Sequence, residues 1–394
     1  MTDRQPGLDL LRALAIAWVM LYHLASYGVA LPGVVNHGWM GVDLFFVLSG
    51  YLIGGQVLRP YACGSRPRWR AFMLRRAFRV LPAYLVVLAL YALCPVVRES
   101  EGLRPLWQFL SFTVNLTPGE GRLALSHAWS LCVEEHFYLL LPPCVLLLAR
   151  HPGVRKTAAF ALALLAGGMV LRAWLWQYEV GPYLSVRSGA DSFFVRYVTL
   201  IYNPTWARLD GLLAGVVLAA VHVFRPAWWE LGARWKPLFL AAGLAGLALA
   251  VQCDPTSHLG AIVVFPLVAL SFACCLIACA GKGPVLERLR LPGVAFVATV
   301  SFSLYLTHKT VYHLVRTQFG DVLAGADWLA LGAYNLAALA AATLLYFAVE
   351  RPFLRLRDGL LRTGRKPLSS PAAHPAVCPG TAASASAATP MARE

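Results

Sequence analysis

Residues 8–28 read LDLLRALAIAWVMLYHLASYG, an apolar run long enough to cross a bilayer as one helix, interrupted by Arg12 and His23. Ionisable side chains at membrane depth are costly, so each is a functional candidate by default. Eleven residues at about 100° each bring Arg12 and His23 to nearly the same azimuth, and at about 1.5 Å per residue they lie roughly 16 Å apart. A cation near one membrane face and an imidazole deeper in suit a long ligand with an anionic head and a reactive tail. The run is too long for a cleavable signal peptide, carries an internal arginine, and is followed by further spans.

The rest of the chain repeats this apolar pattern. Its 394 residues are 59% hydrophobic and 13% charged, with a mean hydropathy of +0.62. The fold class expected is all-α, a polytopic transmembrane helical bundle. About ten spans are read, near 8–28, 39–58, 80–97, 129–149, 157–177, 206–224, 237–252, 259–280, 294–316 and 327–349. The formal net charge of +15 would point to nucleic acid in a soluble protein. Here the basic residues follow topology, and no nucleic-acid partner is expected. The connection 59–79 holds Arg59, Arg66, Arg68, Arg70, Arg75, Arg76 and Arg79; Arg351, Arg355, Arg357, Arg362, Arg365 and Lys366 follow the last span. Connections on the same side add Arg150, Arg155, Lys156, Lys282, Arg288 and Arg290, whereas the other side has scattered cases such as Arg98, Arg104, Arg122, Arg187 and Arg196. The positive-inside rule then puts both termini in the cytoplasm, with the basic face toward anionic lipid headgroups.

Residues 1–360 read as one membrane domain. Residues 361–394 read as a basic stretch and then an Ala/Ser/Pro-rich disordered tail. The nine cysteines show no metal or disulfide spacing, and neither redox chemistry nor a metal site is expected. Loops 98–128 and 178–205 are long enough to form a lid or vestibule over the bundle.

Topology places the polar residues by depth. His23 and Asp43, the latter in GVDLFFVLSG, fall at similar depth near the outer ends of adjacent spans. A carboxylate beside an imidazole fixes its tautomer and raises its basicity, as a general base requires; a histidine hydrogen-bonded across helices for packing is the alternative. HAWSLCVEEHFYLLLP sets His127 at the mouth of span four, with Glu134, Glu135 and His136 in its first two turns. Adjacent glutamates point about 100° apart, so one faces the interior and the pair reads best as part of a polar network. TWARLDGLLAG places Arg208 and Asp210 at the outer end of span six, as an internal salt bridge, a substrate contact or an interfacial ion pair. SFSLYLTHKTVYH brings Tyr305, His308 and Lys309 to the middle and outer part of span nine. On the inner side, LRRAFRVLPAY puts Arg76 and Arg79 on one face, suited to phosphate or to membrane anchoring. Glu350 reads as structural, in reach of that cluster.

These segments, with WSLCVEEHFYLLLP, RLDGLLAG and the closing VERPF, resemble in their order the acyltransferase 3 family, from about residue 6 to 355. The resemblance implies an integral membrane O-acyltransferase that moves acetyl or another short acyl group from acyl-CoA to a hydroxyl. Family acceptors include lipopolysaccharide O-antigen, peptidoglycan, exopolysaccharide, nodulation factors and macrolides. The Arg-x(10)-His pattern falls on Arg12 and His23 and the Arg-x-x-Arg pattern on Arg76 and Arg79. The histidine is thereby implied to be essential and the arginines to hold the donor. No extracellular hydrolase-like domain follows the membrane unit, so acceptor handling is expected from a partner or from the outward loops.

The expected mechanism has the nucleotide end of acyl-CoA at Arg12, Arg76 and Arg79, with His23 oriented by Asp43 as base; an acyl-histidine relay is the variant. His127, Trp129, Glu134, Glu135, Tyr138, Arg208, Asp210, Tyr305 and His308 are the substrate-binding candidates. Acetyl-CoA or another acyl-CoA is a co-substrate, with no cofactor bound permanently, and the acceptor is a carbohydrate or glycolipid. The expected location is the bacterial cytoplasmic (inner) membrane. A permease or flippase is the competing class, and the lack of an internal repeat counts against it.

Overall fold

The computed structural model describes residues 5–117, 123–150, 153–281 and 291–363. Arg122, Lys282, Arg288, Arg290, Arg365, Lys366 and the tail from 364 onward lie outside them. The described residues are helical, with one isolated bridge between Gly102 and Leu123. That is what a bilayer demands, because a helix satisfies its backbone polar groups internally.

Among the described residues a helix stands at each expected span: α1 Pro6–Ala25, α2 Met40–Ala62, α3 Trp69–Leu93, α4 Trp129–Arg150, α5 Val154–Leu175, α6 Asp210–Phe224, α7 Lys236–Val251, α8 His258–Cys279, α9 Val294–Leu323 and α10 Asp327–Leu345. Seven helices are long and apolar enough to cross a membrane, or eight if α6 and the short helix Pro226–Arg234, bent 109° apart, count as one span. The two others are α7, short at 16 residues, and α9, which has 30 residues but carries many polar ones. A π-turn, Tyr346–Glu350, carries α10 into the basic helix α11, Arg351–Thr363.

One boundary departs from expectation in a way that matters for the site. α3 begins at Trp69, so Arg70, Arg75, Arg76 and Arg79 sit on helix rather than in a connection. Arginine is a good helix former, and its charge hides the helix from an apolar-run reading.

Helix positions are set by close backbone contacts. α2 and α6 touch through Gly50 and Gly215: a methyl group added at Gly50 would overlap the Leu212 carbonyl, and one at Gly215 the Val47 carbonyl. α1 meets α2 the same way, with Gly41 2.6 Å (as an added Cβ) from the Ala15 carbonyl oxygen. Small residues at membrane-helix interfaces let backbones approach, gaining dispersion where no hydrophobic drive exists. α1 also packs along α9, and α9 along α10. The segments 98–117 and 178–205 meet where buried Asn115 Nδ2 donates to the Asn203 carbonyl (3.1 Å) and to Thr205 Oγ1 (2.9 Å).

Candidate active site

A cavity of about 350 Å³ opens at the end of the bundle where α1 begins. Its rim carries Arg12 of α1, Arg75, Arg76 and Arg79 of α3, and Arg357 of α11. Its walls mix apolar side chains, chiefly Val42, Phe45, Phe46, Leu48, Leu52 and Ile53 of α2, with polar ones, among them Ser49, Gln56, Glu134 and Ser301. Buried Ser130 and Tyr305 also line it.

Each rim arginine the sequence pointed to is held by a neighbour. Arg12 Nη1 bonds Asp9 Oδ1 one turn earlier at 3.0 Å. Arg79 pairs with the buried Glu350, whose other oxygen accepts from Ser303 Oγ at 2.9 Å. Glu350 therefore has the structural role expected of it, joining the start of α11 to α3 and α9. Arg76 lies 3.8 Å over the Tyr138 ring, with Nη2 3.9 Å from Glu134 Oε2. Glu134 in turn accepts from Ser49 Oγ (2.7 Å) and Tyr138 Oη (3.0 Å). Glu134 and Tyr138, both substrate-binding candidates, thus belong to the arginine side of the site. Glu135, one residue on, is half-buried beside this network.

Beyond Tyr305 the character changes to imidazole. The Tyr305 ring centroid lies 5.5 Å from that of His127 and 5.9 Å from that of His308. Its hydroxyl donates to the His127 carbonyl at 2.9 Å, so Ser130 Oγ, 2.6 Å away, donates to it. His308 Nε2 lies 2.8 Å from His23 Nδ1, with ring centroids 4.9 Å apart. His127 reaches the Leu306 carbonyl through Nε2 at 3.2 Å, leaving its buried Nδ1 without a partner among the described residues. Tyr305 therefore stands between the arginine-rimmed cavity and a cluster of His23, His308 and His127. Among the described residues no group of three His, Cys, Asp or Glu side chains is arranged to hold a metal ion.

The expected partnership of Asp43 with His23 is corrected. Both Asp43 oxygens accept from Arg208 Nη2, at 2.9 and 3.0 Å, and both residues are buried. α2 turns Asp43 toward Arg208, just before α6. Nor does Arg208 pair with Asp210. Arg172 of α5 takes Asp210 in a fork of two bonds, 2.8 and 3.0 Å, and also donates to the Ala207 carbonyl at 2.7 Å. Arg208 lies 4.0 Å from the Phe265 ring, 4.8 Å from that of Tyr202 and 5.5 Å from that of Trp129. Trp129 is accordingly buried among Phe46, Tyr202 and Arg208. These pairs fasten α2, α5 and α6 rather than forming an interfacial ion pair.

Sequence reasoning passed over Arg172, Asp9, Ser49 and Ser130. Arg172 had a signal, being an isolated cation within the apolar stretch LALLAGGMVLRAWL that must find a counter-ion. Arg75 and Arg357 were read as topology signals, and only the packing of α3 and α11 brings them to the cavity rim.

Comparison with known proteins gives the family. The chain is 30% identical over 234 residues to the peptidoglycan O-acetyltransferase OatA of Listeria monocytogenes, covering 56% of this chain and 34% of that protein. It is 27% identical over 231 residues to the O-acetyltransferase OatA of Staphylococcus aureus (strain NCTC 8325), covering 55% and 34% respectively. The matched stretch is thus only about a third of each relative's length, at 34%. No solved structure matches the chain. The family model described as an acyltransferase domain matches residues 5–347, and the chain therefore belongs to the acyltransferase 3 family.

Proposed function

We propose that this protein transfers an acetyl or other short acyl group from cytoplasmic acyl-CoA to a hydroxyl of an exported or cell-surface carbohydrate, with His23 as general base. The observation that carries the reading is the succession of environments in the bundle: an arginine-rimmed cavity that reaches Tyr305, and a histidine cluster packed against that same ring. The rim suits the phosphates of a nucleotide donor, because guanidinium gives planar, charge-assisted hydrogen bonds. The apolar wall of the cavity on α2 suits the pantetheine arm and acyl group, and the roughly 16 Å from Arg12 to His23 is in the range of that arm when extended. Ten membrane passages, both termini in the cytoplasm and residence in the bacterial inner membrane complete the reading. The relatives' names support acetyl transfer and a glycan acceptor such as peptidoglycan.

The chemistry requires one proton transfer and one acyl shift. His23 takes the proton of the acceptor hydroxyl while its oxygen bonds the thioester carbonyl carbon. The carbon–sulfur bond then breaks, and the proton passes from the imidazole to the departing thiolate, giving ester and free CoA. The thioester is drawn past Tyr305 to reach the imidazole, so Tyr305 and Ser130 line the passage of the donor. His127 and His308 belong to the histidine side.

The direct test is the purified protein in proteoliposomes, supplied with isotopically labelled acetyl-CoA on the arginine side and glycan acceptor on the other. Label in the glycan supports the proposal; glycan flux without acyl turnover would make the protein a permease. In the same system Arg76→Ala is expected to raise the acetyl-CoA KM about ten-fold or more, the cost of one charge-assisted contact. An unchanged KM would return Arg76 to the role of membrane anchor.

A further inference from the structure

We infer that His308 is the positioning residue for His23: it fixes the tautomer that leaves His23 Nε2 as the basic atom. The inference rests on the reading of His23 as base and adds the group that makes it one.

The argument runs from fixed acceptors to a free lone pair. His308 Nδ1 lies 3.0 Å from the Leu304 carbonyl oxygen and 2.8 Å from that of Tyr305. A carbonyl oxygen only accepts, so Nδ1 of His308 must carry a proton. His308 is fully buried, where an unpaired charge is costly, so its resting form is the neutral imidazole with one N–H. Its Nε2 is then a lone pair, and the atom 2.8 Å from it, His23 Nδ1, must be the donor. His23 is left with an unprotonated Nε2, which has no hydrogen-bond partner among the described residues.

Two competing partners are already engaged. Asp43 is held by Arg208, and Lys309, next to His308, turns to Glu99 Oε1 (3.1 Å) and Ser126 Oγ (2.7 Å). His308 thus takes the position a carboxylate was expected to fill. It does more than orient the ring. When Nε2 of His23 accepts the substrate proton, the Nδ1 proton has a 2.8 Å path to His308 Nε2, so the positive charge spreads over two rings. The two backbone carbonyls at His308 Nδ1 stabilise that charge without the cost of a buried anion at rest.

Two substitutions separate this role from packing. The amide of His308→Gln extends to the Nε2 position and offers His23 an oxygen acceptor. The shorter amide of His308→Asn reaches the Leu304 and Tyr305 carbonyls but stops short of His23. Gln is expected to keep kcat within about ten-fold of the parent and Asn to lose about 100-fold or more, both with unchanged acetyl-CoA KM. In ¹⁵N-histidine-labelled protein in micelles, the His23 resonances, assigned by their absence in His23→Ala, should report an Nδ1 proton in the parent and in the Gln variant. In the Asn variant they should report a mixture of tautomers. Equal kcat in the two variants, or an Nε2-protonated His23 in the parent, would overturn the inference. Failure of the parent reading shows separately, as full activity in His23→Ala, because the tautomer is read without turnover.

Discussion

His23→Ala is expected to lower acyl transfer by about 10³-fold or more while the protein inserts, folds and binds acetyl-CoA as before. A positioned general base contributes about 10²–10⁴-fold, and this site has no second imidazole in the same relation to the path of the thioester. His308 has its Nδ1 proton tied to two carbonyls, and His127 is anchored through Nε2 to the Leu306 carbonyl. Donor binding should survive because His23 is not among the residues that line the arginine-rimmed cavity. The check is initial-rate measurement in proteoliposomes beside equilibrium binding of acetyl-CoA. Activity close to the parent would exclude His23 as base, and joint loss of binding and rate would make its role structural.

Asp43→Ala is expected to destabilise the fold by about 3–5 kcal/mol, the usual result of removing one member of a buried ion pair. Arg208 would be left as a buried cation amid aromatic rings, with Nε and Nη1 already lacking partners. The double replacement Asp43→Leu with Arg208→Met removes both charges at similar volume and should recover most of the loss. Denaturant unfolding in detergent gives both values. Recovery of stability accompanied by recovery of activity identifies the pair as a fastening between α2 and α6. Recovery of stability without activity would give Asp43 a part in the chemistry after all.

The course of the helices was legible from sequence, and the direction in which each polar side chain points was not. Apolar runs located a helix at each expected span and set Arg12, His23, Asp43 and His308 on those helices. Which way Asp43 points depends on how α2 is rotated against α6, and that is set by backbone contact at Gly50 and Gly215, far apart in the chain. The same rotation exchanges the expected partners, giving Arg208 to Asp43 and leaving Asp210 to Arg172. His308 was legible as a polar residue of span nine, yet its bond to His23 joins residues 285 apart. Glu350 was placed correctly because a carboxylate at the basic end of a span is surrounded by cations, and Arg79 takes it. The start of α3 was missed because seven arginines across 59–79 look like a loop when only apolar runs are counted.

The two ion pairs also bear on how the chain is made. Asp43 emerges from the ribosome 165 residues before Arg208, and Arg172 emerges 38 residues before Asp210. Each early charge enters the insertion machinery without its counter-ion, and a lone charge at membrane depth resists partition into lipid. α2 and α5 each carry an unmatched charge until residues 208–210 are made, and that short segment before and at the start of α6 then completes both pairs.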